Sequence, residues 1–178
     1  HNFNELIKAI ILYLKGKSFS LFPDFNTGGC IDVESYSKGA RGGKVRVRAV
    51  IEVLDKNTLV VNTVPYGVTT SSLIDSILKA NDKNKIKIKN IEDNTSENVE
   101  IVIHLVKGTS PDMTIDALYA FTNCEVSISP NCCVIINNTP QFININKLLK
   151  YSVDHFMKIF KMELEYKLNM LLNSWHQQ

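Results

Sequence analysis

Apolar and polar positions along this chain change period several times, and each change predicts a different element. Residues 4–14 carry Leu6, Ile7, Ile10, Ile11 and Leu14 at helical spacing, with Asn4 as N-cap and Gly16 as a stop. A turn-rich loop over 23–29 leads to a short strand at 30–33. Two alternating runs follow, 44–54 and 58–64, joined by Asp55-Lys56-Asn57 as a hairpin. Thr70 or Ser71 caps a helix through Lys79 with Leu73, Ile74, Ile77 and Leu78 inward. Strands are expected at 85–91 and 99–106, separated by EDNTSEN, and Pro111 opens a helix to about Phe121. Short strands at 126–128 and 133–136 precede a turn at Asn137-Asn138-Thr139-Pro140.

The last segment has the longest periodic run. Ile145, Leu148, Leu149, Val153, Phe156, Phe160, Leu164, Leu168, Leu171 and Trp175 form an apolar stripe over about eight turns of helix. A helix that long overshoots a domain of this size and is expected to project. The fold class is therefore α/β (α+β): a mixed, mostly antiparallel sheet with flanking helices, then a long C-terminal helix. The expected division is an α/β domain at 1–144 and the long helix at 145–178.

One strand has two unlike faces. In GARGGKVRVRA, residues 39–49, Val45, Val47, Ala49, Ile51 and Val53 point one way, and Lys44, Arg46 and Arg48 point the other. All three arginines of the chain, Arg41, Arg46 and Arg48, fall here; with Lys38 and Lys44 they make five basic residues and no acid between 38 and 48. Arginine's fork matches phosphate oxygens in two-point contact, so this concentration points to an oxyanion partner. The competing reading is a solvated edge strand blunted by charge. A second ladder, Lys85, Lys87 and Lys89, alternating with Ile86 and Ile88 after Lys83, carries the same two readings. Edge protection comes first there and a secondary phosphate contact second.

Composition narrows the field. The 178 residues carry 20 Lys+Arg against 18 Asp+Glu, a formal charge of +2, so the local basic cluster matters more than the net value. A 44% hydrophobic chain of this length buries one core. No apolar run approaches a membrane span, and HNFNELIKAI lacks the features of a secretory signal. Beginning at His1 without methionine, it reads as a cut inside a larger chain. Cys30, Cys124, Cys132 and Cys133 form no CxxC pair and read as reduced thiols, with Cys132 and Cys133 in a buried strand. His1, His104, His155 and His176 show no metal-ligand spacing. His104, among alternating apolar neighbours, reads as a paired sheet residue. The glycine loop fails as a phosphate-binding nucleotide loop: Gly39 and Gly43 are too close, Val45 follows Lys44, and a strand follows rather than a helix.

Several motifs occur in a telling order: HN-x-x-ELI at 1–7, YLKG at 13–16, FPDFNTGG at 22–29, the arginine-glycine run, VNTVPYGV at 61–68, IEDNTSEN at 91–98 and NNTPQFININKLLKY at 137–151. In these the chain resembles, over essentially its whole length, the A subunit of bacterial type IIA DNA topoisomerases, topoisomerase IV or gyrase. The part matched is similar to the tower domain plus the first long helix toward a coiled-coil arm. The SWH ending at 174–176 leans toward a topoisomerase IV of the Bacteroidetes kind.

The resemblance implies a parent enzyme that cleaves both strands of a duplex, passes another through and reseals. It implies ATP and Mg2+ on a partner B subunit, a second A subunit, double-stranded DNA as substrate, and a cytoplasmic, nucleoid-associated location. In that family a tyrosine after an arginine attacks the phosphodiester. Here Gly42, Val47 and Ala49 follow the three arginines, so no such pair exists and the chain is expected to be inactive alone, with no cofactor of its own. DNA-phosphate contacts are expected at Lys38, Arg41, Lys44, Arg46 and Arg48, and secondary ones at Lys85, Lys87 and Lys89. The alternative role is a rigid lever or interaction module with only incidental DNA contact. An independent α/β hydrolase or transferase lacks a nucleophile–base set.

Overall fold

A computed structural model describes residues 2–176. In chain order the elements are α1 (Phe3–Leu14), β1 (Cys30–Asp32), a 3-10 turn (Ser37–Gly39), β2 (Val45–Arg48), β3 (Val50–Asp55), β4 (Thr58–Thr63), α2 (Thr70–Asp82), β5 (Ile88–Asp93), β6 (Ile101–Leu105), α3 (Pro111–Phe121), β7 (Glu125–Ile128), β8 (Cys133–Ile136), β9 (Thr139–Phe142) and α4 (Ile145–His176). Every pairing among them is antiparallel, and the strands divide into three sheets, β1-β2-β7, β3-β4-β6-β5 and β8-β9. The mixed α+β class read from the sequence holds, and so does the long final helix. His1 and the side chain of His176 lie outside the described residues.

The chain forms two compact units. One takes the described residues up to Pro23, Ser37–Arg41 and those from Asn131 onward; the other takes Asp24–Tyr36 and Gly42–Pro130. In the second unit α2 and α3 cover the four-stranded sheet. Leu73 and Ile77 of α2 and Leu118 of α3 meet Leu59 and Val61 of β4 and Ile101 and Ile103 of β6, all fully buried. Burying a side chain of this size contributes about 1.5–3 kcal/mol, which fixes which face of each strand looks inward. A smaller cluster, Tyr36, Val45 and Val47 with Phe25, Val33, Val126 and Ile128, underlies the three-stranded sheet.

The predicted 44–54 strand breaks in two. β2 belongs to one sheet and β3 to another, and Ala49, whose N–H donates to Cys124 O, sits at the change. An irregularity between Val50 and Ile51 then shifts the alternation, leaving Val53 47% exposed rather than inward. The hairpin at 55–57 forms as expected, with Asp55 Oδ1 accepting from Asn57 N at 2.7 Å. Helix caps move by one or two residues. Asn2, not Asn4, caps α1 by accepting from Asn4 N, and Thr69 caps α2 by accepting from Ser72 N. Leu78 is exposed, one position past the covered arc of α2, and β5 begins at Ile88 rather than residue 85. His104 sits in β6, with Nε2 3.3 Å from Glu92 Oε1, the paired sheet residue expected.

In the first unit, Ala9, Leu21, Leu149 and Val153 form a small core with Leu6, Ile10, Tyr13, Phe19 and Ile145 around it. Ile7, Ile11 and Leu14, part of the same apolar spacing, lie to one side of the covered arc of α1 and are exposed. Tyr13 Oη donates to Asp154 at 2.8 Å, tying α1 to α4. Asn144 caps α4 by accepting from Lys147 N at 2.8 Å. Past Val153 the α4 stripe is open: Phe160 is 55% exposed, Leu164 67% and Leu171 70%. The apolar setting of Cys132 and Cys133 predicts a buried strand. Instead β8 and β9 form a two-stranded ribbon whose Cys133 is exposed, because no layer covers it. Its turn residues Asn137 and Asn138 both have positive φ, the conformation asparagine tolerates in tight hairpins.

Candidate nucleic-acid interface

The basic run is divided between the two units. Lys38 and Arg41 belong to the first, and Lys44, Arg46 and Arg48 to the second. Lys38 lies within the 3-10 turn with φ of 56°, and the Arg41 guanidinium stands 5.4 Å from the Phe142 ring centroid. That cation–π contact holds an otherwise exposed arginine against an aromatic face.

From Lys44 to Ala49 the burial alternates strictly. Val45, Val47 and Ala49 are buried and Lys44, Arg46 and Arg48 exposed, so the two-faced strand read from the sequence is present over this span. β2 is the central strand of its sheet, which removes the edge-blunting explanation for its charges. Gly29 makes the β1 side of this pairing fit. Its φ is +94°, and a Cβ there would stand 2.6 Å from the Arg48 carbonyl oxygen, so only glycine lets the two backbones approach.

Two carboxylates meet the arginines from the flanking strands. Arg46 lies opposite Asp32 of β1, and its Nη2 pairs with Asp32 Oδ2. Arg48 lies opposite Glu125 of β7, and its Nε donates to Glu125 Oε2 at 2.5 Å. The Arg48 guanidinium also sits 4.8 Å from the Tyr119 ring, whose hydroxyl donates to Ala49 O at 2.9 Å. The Asp32 carboxyl is held below its usual range, first by the Glu34 backbone N–H and then by Arg46. Glu125 holds the Arg48 proton more tightly than usual.

The face thus carries three cations against two carboxylates. The arginine side chains remain 49% and 46% exposed, and each gives one guanidinium N–H to its partner, Arg46 from Nη2 and Arg48 from Nε. The guanidinium N–H groups not so used are able to donate to a phosphate oxygen. Lys44 joins no ion pair among the described residues. Asp32 and Glu125 escaped sequence reasoning because their partners lie 14 and 77 residues away. Asp32 in the short strand before the glycine loop was the one local hint.

The second ladder separates as well. Lys89 lies in β5, the edge strand of its sheet, and Lys87 just before it, while Lys85 Nζ stands 5.3 Å from the Phe121 ring centroid. Ile86 and Ile88 between them are buried.

The family model for the A subunit of DNA gyrase/topoisomerase IV matches residues 1–178. The chain belongs to that family. It is 45% identical over 172 residues to the A subunit of DNA topoisomerase 4 from Borreliella burgdorferi, covering 97% of this chain and 27% of the relative. It is 30% identical over 188 residues to the A subunit of DNA gyrase from Lawsonia intracellularis, covering 95% of this chain and 23% of that protein. The corresponding gyrase chain of Mycobacterium bovis is 30% identical over 176 residues, with 92% and 20% covered. The chain therefore spans about a quarter of the length of these relatives. No helix among its described residues is long and apolar enough to cross a membrane.

Proposed function

We propose that this chain is the tower portion of the A subunit of a type IIA topoisomerase, holding the duplex that flanks the cleavage site by its phosphate backbone. The observation that carries this reading is the outward row of Lys44, Arg46 and Arg48 on a central strand, two of them braced by carboxylates. Backbone contacts position DNA without reading its sequence. The parent enzyme would break, pass and reseal duplex DNA, completed by a second A subunit, with ATP and Mg2+ on a B subunit. This stretch contributes no nucleophile, because none of its six tyrosines follows an arginine. Lys38 and Arg41, on the first unit, are further phosphate contacts in this reading, and Lys87 and Lys89 are secondary ones.

A second reading has its own support. The exposed stripe of the 32-residue α4 suits a rigid lever leading toward a coiled-coil arm, and the carboxylates facing Arg46 and Arg48 would then make the basic face structural. Fluorescence anisotropy of a labelled duplex over a salt series separates the two. Each phosphate contact adds about 0.9 to the slope of log affinity against log salt. Replacing Lys44, Arg46 and Arg48 with alanine should flatten that slope by roughly 2 to 3 units and weaken all duplex sequences alike. An unchanged slope in a folded triple variant supports the lever.

A further inference from the structure

Three lysines gather where α2 ends, each without an ion-pair partner among the described residues. Lys79 in the last turn of α2, its C-cap Lys83, and Lys85 line a hollow of about 350 Å³ together with Ser76, Ala80 and Phe121. No acidic side chain is among the lining residues, and none of the three lysines joins an ion pair among the described residues. Part of this charge suits the C-terminal dipole of α2, but one helix end carries only about half a unit charge. Three lysines on one hollow exceed that need, and with no carboxylate in its lining the hollow suits an anion.

The hollow is also built in place. Asn84 adopts φ of 56°, folding the chain back so that Lys85 N donates to Ala80 O at 2.9 Å. Asn81 Oδ1 accepts from Ile88 N at 3.1 Å, pinning the segment beyond. On the other wall Ser76 Oγ accepts from Asn123 N at 3.1 Å, fixing the turn after α3 and hence Phe121. Phe121 is 53% exposed although it ends a helix packed on the core, and its ring is already met by Lys85 Nζ. An exposed ring beside clustered cations is the pairing that grips a nucleobase and its phosphates together.

We infer that Lys79, Lys83, Lys85 and Phe121 form a binding site for single-stranded nucleic acid, with a base stacked on Phe121 and adjoining phosphates on the lysines. A duplex keeps its bases stacked on one another and offers Phe121 no free face, so the site prefers a single strand. It is separate from the arginine face and does not depend on the reading given for it.

The test measures anisotropy of a labelled DNA strand of about 15 nucleotides, alone and as a duplex, over a salt series. In the Lys79→Gln/Lys83→Gln/Lys85→Gln variant the single-strand slope should flatten by about 2, at roughly 0.7 per contact. Phe121→Leu should weaken the single strand roughly fivefold or more with its slope unchanged and duplex binding intact. Single-strand affinity unmoved by Phe121→Leu overturns the stacking site, as does an equal loss for strand and duplex in the lysine variant. Thermal melting establishes that each variant is folded. Lys83→Gln alone, at an exposed cap, serves where the triple variant is not, and should flatten the slope by about 0.7. An unmoved slope there overturns the proposal equally.

Discussion

Arg48 Nε and Glu125 Oε2 stand 2.5 Å apart across directly opposed positions of β2 and β7, so the basic face comes with its own competitor for phosphate. DNA bound there must draw the guanidinium away from a carboxylate or share it. Glu125→Gln and Asp32→Asn should therefore tighten duplex binding at low salt and steepen the salt slope by about 1 for each carboxylate removed. The cost in stability should be small, about 0.2–1 kcal/mol each, since the arginine of each pair is open to solvent. Weaker binding by either variant would mean that the carboxylate holds the arginine in its DNA-competent position.

Gly29→Ala should be among the more damaging single changes on the second unit's surface. The new Cβ would meet the Arg48 carbonyl oxygen at 2.6 Å with φ at +94°. A loss of about 2 kcal/mol or more is expected, read as a melting temperature lower by about 5 °C. Gly67→Ala gives the comparison: its φ is +82° but nothing lies within 4 Å, so it should lose less.

Thiol chemistry should follow burial. Cys124 is fully buried and its thiol is pushed up to about 11, chiefly by desolvation. Cys30 and Cys133 are exposed. At about pH 8, iodoacetamide should label Cys30 and Cys133 promptly and leave Cys124 unmodified until the protein unfolds. Labelling of Cys124 in the native state, located by peptide mass, would show that this core opens locally.

Acid should loosen the turns. Asp55 is held below its usual range by the Asn57 backbone N–H and then Thr58, and Asp93 by the Thr95 hydroxyl and backbone N–H. Lowered folded values mean that this stabilisation is present above about pH 3.9 and is lost as pH falls through the folded values. Melting curves between about pH 5 and 2 should show a decline that is shallower in Asp55→Asn/Asp93→Asn. An equally steep decline in that variant would assign acid sensitivity elsewhere.

These expectations draw on the sequence unevenly, for physical reasons. Val45, Val47 and Ala49 alternate with charge, and a pleated strand has only one way to bury them, so that face was legible. The break at Ala49 was not: it depends on which sheet each half joins, a choice made by β7 and β4, outside the run itself. Helical spacing located α1 but not its buried arc. Ala9, too small to stand out in an apolar stripe, faces the core, while Ile7 and Ile11 do not. Cys133 looked interior because its neighbours are apolar, yet a two-stranded ribbon has no second layer to hide them. The basic run itself was plain; that Asp32 and Glu125 meet it was not, since charge pairing across strands leaves no local pattern.

The way α4 is held has a mechanical consequence. Its grip on the first unit ends near Asp154, where Tyr13 closes the contact with α1, and some 22 residues continue beyond. At about 1.5 Å per residue that overhang is a stiff rod of roughly 33 Å. A tilt of only about 10° at the Tyr13–Asp154 pivot then sweeps its far end through about 6 Å, more than one helical turn of travel. Slack of a few tenths of an ångström in the small packing of Ala9, Leu149 and Val153 is thereby magnified at the tip. The girth of those three side chains sets how steady the far end can be.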